Sequence, residues 1–369
     1  MAKKINEGRK EAYERENLAA RKLTRWIGSG LAVLVLVLIL GGLLYSHHAL
    51  QPYNRHDERY VAVDIPAGAT DKDIANILAQ KHVIRSARVF NLWLKLHSQC
   101  GFQAGKFYVS ASMATPQLVS QLQGSGDRPV AGTLLIHEGE TIDQVATELG
   151  KSGHFSRQEF LALMKDPSFM HELAAKYPRL LSSSMKKHNV RYHLEGYLFP
   201  ARYNIYKGAS LKQLVTQMVG KTNQVLLPYY ATIKKKGLTV HKVLTLASLV
   251  EREGVTTKDR RKIAGVFFNR FAADMPLQSD ISVMYALNKH KHSLTIKDTK
   301  VKSPYNLYKH KGYGPGPFNN PGLDSISAVL HPSDRSENYL YFVANLKTGK
   351  VYYSQNLNQH LRRNASLGQ

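Results

Sequence analysis

Cysteine is almost missing: Cys100 is the only one in 369 residues. A single thiol excludes an intrachain disulfide and any metal site built from cysteine pairs, and it does not report the redox compartment. Acidic residues are scarce, 27 against 51 lysines and arginines, for a formal net charge of +24. Such an excess calls for a polyanionic partner, with nucleic acid the first class to consider. No zinc-finger or RNP pattern supports that class. Charge is missing altogether from Ile27 to Tyr45, whose centre reads LAVLVLVLILGGLL. That run approaches the roughly 20 residues needed to cross a hydrocarbon core. No small-x-small cleavage site follows in YSHHALQ, and the apolar core is too long for a signal peptide, so a retained anchor is expected. Lys3, Lys4, Arg9, Lys10, Arg15, Arg21, Lys22 and Arg25 precede it, which places the N-terminus in the cytoplasm and everything after Tyr45 outside the inner membrane. Nucleic acid is thereby excluded as a partner.

What is present divides the chain into a basic cytoplasmic arm (1–26), a transmembrane helix (27–46), a polar linker (47–59), a repeat-bearing region (60–155) and a larger C-terminal region (156–369). The repeat pairs VDIPAGAT, leading into IANIL from Ile74, with LLIHEGET, leading into VATEL from Val145. Each copy predicts a strand, a tight turn at Gly68 or Gly139, and a short amphipathic helix entered at Thr70 or Thr141. This grammar resembles LysM modules, which bind N-acetylglucosamine; a simple spacer holding the next domain off the membrane fits it equally. Helices with a break at Asp166-Pro167 are expected from Phe155 to Ser184, and one amphipathic helix from Leu211 to Val225.

The densest stretch runs from Val243 to Asp280. It opens as a helix apolar round most of its circumference, through Leu244, Leu246, Ala247, Leu249 and Val250. Glu251 and Glu253 then appear before Gly254 stops it. At about 100° per residue both glutamates fall on opposite flanks of the apolar arc, about 160° apart, so both cannot address one substrate bond. A carboxylate on an apolar face is either paired with a cation, here Arg252, Arg260 or Arg261, or held partly protonated. The second state suits a general acid near neutral pH. The residues alone leave both readings open. A second helix, Lys258 to Phe271, ends in Asn269 and Arg270, either of which could face a cleft. Gln278, Ser279 and Asp280 then offer three adjacent polar side chains for sugar hydroxyls or acetamido groups. Upstream, Glu195 in LEGYLFP is a possible second carboxylate or an internal pairing group. The glycine- and proline-rich loop from Ser303 to Gly322 is expected to border a groove because Tyr305 and Asn306 lie within it. Tyr339–Ala344 and Val351–Ser354 predict a hairpin across Lys347-Thr348-Gly349.

ASLVERE at Ala247–Glu253, VFFNR at Val266–Arg270, LQSD at Leu277–Asp280, EGYLFP at Glu195–Pro200 and SPYN at Ser303–Asn306 together resemble the MltG (YceG-like) endolytic murein transglycosylases. AGKFY at Ala104–Tyr108 adds to the likeness, which covers nearly everything beyond the apolar segment. Departures are Ala201-Arg202 where the family usually has Asp-Thr, Ile281-Ser282 for Pro-Thr, and Tyr313-Gly314 for Leu-Pro. The resemblance implies an α+β fold: a single N-terminal transmembrane helix, a LysM-like α+β subdomain at 60–155, and a mixed α+β catalytic domain at 156–369. It implies an enzyme, a lyase that cuts MurNAc–GlcNAc bonds within peptidoglycan strands without water. The products carry 1,6-anhydroMurNAc ends, and nascent strand length is limited. The family's catalytic glutamate falls on Glu251 as both acid and base. Gln278, Ser279, Asp280, Asn269, Tyr305, Asn306 and Glu195 are the expected substrate contacts. No metal and no nucleotide cofactor is implied; the implied partners are glycan strands, the inner membrane and peptidoglycan synthases (penicillin-binding proteins). His360 matches a family histidine and is read as structural. Two other classes stay open: a muramidase-type hydrolase with Asp280 or Glu195 as second carboxylate, and a non-catalytic, membrane-anchored murein-binding scaffold.

Overall fold

The computed structural model describes residues 26, 29–31, 33–97, 99, 102–124, 129–289, 291, 294–345 and 348–368. The basic arm up to residue 25, Cys100, most of the turn at 124–129 and Lys347 lie outside the described residues. The fold is mixed α+β and divides into two compact units, Met1–Pro129 and Val130–Gln369.

The first unit contains helix α1 (Ser29–Ala49), long and apolar enough to cross a membrane. The polar linker after it is held in place by hydrogen bonds. The Thr115 hydroxyl donates to the Leu50 carbonyl at 3.0 Å, and the Arg85 guanidinium donates to the carbonyls of Pro52 and Tyr53. Strand β1 (Tyr60–Ile65) leads to α2 (Asp71–Gln80) and α3 (Ala87–Leu96), then to β2 (Gly105–Ser110) and α4 (Thr115–Gln123). β1 and β2 pair antiparallel with Val63 opposite Phe107. The inward residues of this pair close over Ile74, Leu78, Phe90 and Leu118 in a core of their own.

The second unit begins with β3 (Val130–Leu135) and four helices, α5 (Ile142–Lys151), α6 (Arg157–Leu163), α7 (Pro167–Lys176) and α8 (Pro178–Met185). Strand β4 (Arg202–Tyr206) returns to pair antiparallel with β3. Helices α9 (Leu211–Leu226), α10 (Tyr230–Lys235), α11 (Val240–Glu253), α12 (Thr257–Ala272), α13 (Asp280–Leu287) and α14 (Leu323–Leu330) follow. A hairpin of β5 (Tyr341–Ala344) and β6 (Val351–Ser354) precedes the last helix, α15 (Leu357–Leu367).

Both copies of the repeat form the expected strand, turn and helix. Gly68 and Gly139 take φ values of +80° and +78°, where a side chain would be strained. Thr70 and Thr141 cap α2 and α5 by accepting from Asp73 and Gln144 backbone N–H groups, each closing a capping box. The copies part company in their pairing. β3 finds its hydrogen-bonding edge on β4, past four helices, so the second copy belongs to the second unit. The division falls at Pro129/Val130, where the sequence suggested 155/156, because an unpaired strand edge must be satisfied wherever a partner lies.

Helix α11 is the axis of the second unit. From Val243 to Val250 every residue is buried, as an all-round apolar helix requires. It packs against α8, α12, α13 and α14. Thr239 caps its start and Gly254 its end. The loop before α14 passes beside it: the Phe318 N–H donates to Ser248 Oγ and Asn319 Nδ2 donates to the Ser248 carbonyl. Asn320 then bonds the Glu140 carbonyl through both its N–H and its Nδ2. This stretch, expected as a groove border, is largely an internal strap.

Candidate active site

The two glutamates at the end of α11 diverge, as their angular separation requires. Glu251 is enclosed, its side chain 3% exposed, and forms an ion pair with Arg260 Nη2 at 2.6 Å. Its other oxygen accepts the Gly322 N–H at 2.7 Å. A Cβ at Gly322 would lie 1.9 Å from Glu138 Oε1, so that exposed carboxylate would have to swing aside to admit one. Both oxygens of Glu251 are therefore already engaged by donors of the protein itself. Glu253, two residues on, is half-buried and borders a groove of about 460 Å³ together with Gln278, Ser279 and Asp280. Ser279 Oγ donates to Glu253 Oε1 at 2.7 Å. Burial, reinforced by the nearby Asp280 charge, pushes the Glu253 carboxyl up to about 7. Its surroundings hold it half protonated at neutral pH.

Asp280, the first residue of α13, is exposed, and its Oδ1 accepts the Tyr308 hydroxyl at 2.6 Å. Gln278 is exposed at φ +53°, a backbone state that turns the chain sharply into α13. Arg270 forms part of the floor. It is buried, donates to the carbonyls of Leu340, Pro276 and Leu277, and has its guanidinium 5.1 Å from the Tyr341 ring centroid. It thereby fixes the Leu277–Asp280 segment from behind.

Four other expected contacts sit away from the groove and serve the interior. Glu195 is fully buried; it accepts from the Ile142 N–H at 3.0 Å and the Tyr285 hydroxyl at 2.9 Å, and desolvation pushes it up to about 8. Asn269 donates to the carbonyls of Arg335 and Tyr339. Tyr305 is buried against Tyr285 and Phe318, its hydroxyl accepting the Arg191 N–H. Asn306 donates to the carbonyls of Thr299 and Val301 and accepts from the Tyr308 N–H. Each bonds interior partners; for Glu195 that is the internal pairing the sequence also allowed, and for the other three the resemblance implied a substrate contact. Among the described residues no cluster of metal-ligating side chains occurs.

The profile of the YceG-like family matches residues 63–366. The chain belongs to the YceG-like family. Among curated relatives, the endolytic murein transglycosylase of Streptococcus pneumoniae serotype 2 is 40% identical over 336 residues, which cover 87% of this chain and 61% of the relative. The chain thus spans about three-fifths of the length of the pneumococcal relatives it matches. The endolytic murein transglycosylase of Bacillus subtilis is 36% identical over 325 residues, covering 88% of this chain and 89% of the relative. A crystal structure of a YceG-like protein from Listeria monocytogenes superposes with a TM-score of 0.60 at 38% identity, covering 83% of this chain and 99% of that one.

In this YceG-like chain, sequence reasoning missed Tyr308 and Asn364 as groove residues, and read as structural the His360 of α15 that lines the far wall beside Tyr341. A signal for the Glu251 pairing was present. Arg260 follows Gly254 by a single turn of α12, which brings it back over the end of α11.

Proposed function

We propose that the chain is an endolytic peptidoglycan lytic transglycosylase in which Glu253, not Glu251, is the acid and base. The observation that carries this reading is the Glu253 carboxyl, raised to about 7 and bordering the groove with Gln278, Ser279 and Asp280. The names of the pneumococcal and Bacillus relatives support the reaction class.

The protonated Glu253 gives its proton to the oxygen linking MurNAc C1 to GlcNAc C4 as the C1–O bond breaks. GlcNAc leaves with a hydroxyl, and positive charge develops at C1. The Glu253 carboxylate then takes the proton of the MurNAc C6 hydroxyl while O6 bonds to C1, closing the 1,6-anhydro ring. Glu253 ends protonated, ready for another cycle. Ser279 fixes the carboxyl by its hydrogen bond, and the Asp280 charge favours the cationic stage electrostatically. Asp280 also borders the groove, so a hydrolase with Asp280 as second carboxylate is the rival reading.

The helix α1 is read as a retained anchor, with the N-terminus cytoplasmic and the chain after Tyr45 outside the inner membrane. The first unit is read as a LysM-like glycan-binding module, supported by the capped strand–turn–helix at Val63–Leu78. Partner synthases remain an expectation from the family resemblance.

Mass spectrometry of murein digested by the full chain tests the reaction. Anhydro-muramoyl ends are expected, reduced about a hundredfold or more in Glu253→Gln. The Glu251→Gln variant is expected to make the same ends. Reducing ends would move the assignment to a hydrolase, and no ends at all to a scaffold.

A further inference from the structure

A second depression, of about 260 Å³, adjoins the groove. On α11, Glu253 borders the groove and the preceding Arg252 borders this pocket; on α13, Asp280 borders the groove and the following Ile281 the pocket. The wall of one thus begins a single residue from the wall of the other at two places. Ile281, Met284 and Tyr285 face the pocket together, as positions i, i+3 and i+4 of one helix do, and Phe318 of the strap completes an apolar floor. The floor is held in place, since the Phe318 N–H donates to Ser248 and the Tyr285 hydroxyl to Glu195. Gly139 makes room for Arg252: a Cβ there would stand 3.0 Å from Arg252 Cδ and 3.5 Å from its Nη1. Lys289 follows the left-handed turn at Asn288 that ends α13, and brings a second exposed cation to the rim. Asp143, the one carboxylate of the lining among the described residues, already pairs with Arg157 at 3.2 Å. The pocket is apolar at its floor and cationic at its rim. Its volume lies below the roughly 300–1,000 Å³ that houses a whole small ligand, which suits a side branch of a polymer lying in the neighbouring groove.

We propose that this pocket receives the peptide stem of the muramoyl unit being cut, with a stem carboxylate on Arg252 and Lys289 and apolar stem side chains on Ile281, Met284 and Phe318. This rests on the glycan-cleaving reading above and adds the substrate class: strands that still carry their peptides, in preference to bare glycan. A neutral sugar does not call for two cations over an apolar floor, whereas a short peptide bearing carboxylates matches both. In murein the stem hangs from the lactyl ether on C3 of the muramoyl ring, two bonds from the C1 that reacts. An extended chain spans up to about 3.3–3.6 Å per residue, so one or two stem residues bridge from a sugar held at Glu253 to the cation beside it on α11.

The test uses the full chain in detergent micelles and muramyl tetrapeptide, a single sugar bearing its stem. This probe has no glycosidic bond, so binding is read on the active chain whichever residue does the cutting. The companion probe is the same compound with its carboxyls amidated, which keeps the shape and removes the charge. Isothermal titration at low salt is expected to show the amidated probe binding about tenfold more weakly. Lys289→Ala, at an exposed position outside the groove, is expected to weaken the free-carboxyl probe about threefold and to leave the amidated probe unchanged. Lys289→Glu should abolish the preference. Equal affinity for the two probes, or no binding of either, would overturn the proposal, as would a Lys289→Ala chain that loses affinity for both alike or for neither. A chain that binds the probes as expected but releases no anhydro ends from murein would sink the lytic reading and leave the stem site standing. Anhydro ends made with equal kcat/KM from peptide-bearing and peptide-free strands would sink the stem site alone.

Discussion

Glu195 holds a proton at neutral pH because the Ile142 N–H and the Tyr285 hydroxyl cannot offset its complete desolvation. Its carboxyl titrates near 8, against an ordinary 4.5. Between those values the folded chain keeps a proton that the unfolded chain has released, so stability falls as pH rises, by up to about 1.4 kcal/mol per unit. Glu195→Gln removes this slope while its Oε1 still accepts the Ile142 N–H and its Nε2 donates to the Tyr285 hydroxyl oxygen. Urea midpoints measured from pH 5 to 9 should show the variant matching wild type at the acid end and exceeding it at the alkaline end. Glu253 gives the kinetic counterpart. In the proposed mechanism its protonated form is the one that acts, so kcat/KM should be flat below pH 7 and fall tenfold per unit above it. Asp280 raises the Glu253 pKa by its charge. In Asp280→Asn the falling limb should therefore move to lower pH, and an unmoved limb in the pH–rate profile would count against Glu253 as the acid.

At the scale of elements, the junction of α11 and α12 is held by the Glu251–Arg260 pair, whose side chains are 3% and 13% exposed. Removing one member leaves the other charge buried, which typically costs about 3–5 kcal/mol. Arg260→Ala should lower the thermal midpoint markedly while leaving the pH dependence of the remaining activity unchanged. Calorimetry beside a pH–rate profile would check both. Much of this architecture was legible beforehand. The apolar circumference of Leu244–Val250 announced a buried axis, the Thr and Gly positions of the repeat announced two capped helices, and the turn signals at 347–349 announced the β5–β6 hairpin. The proposed choice of Glu253 over Glu251 was only half legible: an arginine partner for a glutamate was foreseen, but periodicity gives angles and not neighbours, so which glutamate it pairs was not. What separates them is an N–H from Gly322 and a guanidinium from α12, both set by tertiary packing. The same limit hid the roles of Asn269 and Asn306, whose polar atoms bond interior partners instead of facing the groove, and left Glu195 open between a cleft and an interior role. It also hid the β3–β4 pairing, since a strand pattern does not name its partner.

For the whole molecule, the governing fact is that each unit closes its own core. Val63, Ile74, Phe90 and Phe107 belong to one, while Leu134, Tyr197, Leu246 and Phe267 belong to the other. A domain with its own core is able to fold independently. Glu253, Ser279, Asp280 and the α15 wall all lie within Val130–Gln369, so the groove needs no residue from the first unit. Residues 130–369 produced alone should therefore unfold in a single cooperative transition and still generate anhydro ends from soluble glycan strands, with the same pH profile as the full chain. The first unit is expected to matter for substrate capture. Its removal should raise KM on sedimentable murein sacculi by far more than it lowers kcat. A fragment that folds but has lost its kcat on soluble strands would show that the first unit contributes to catalysis itself, and would break the assignment of the reaction to the groove beside Glu253.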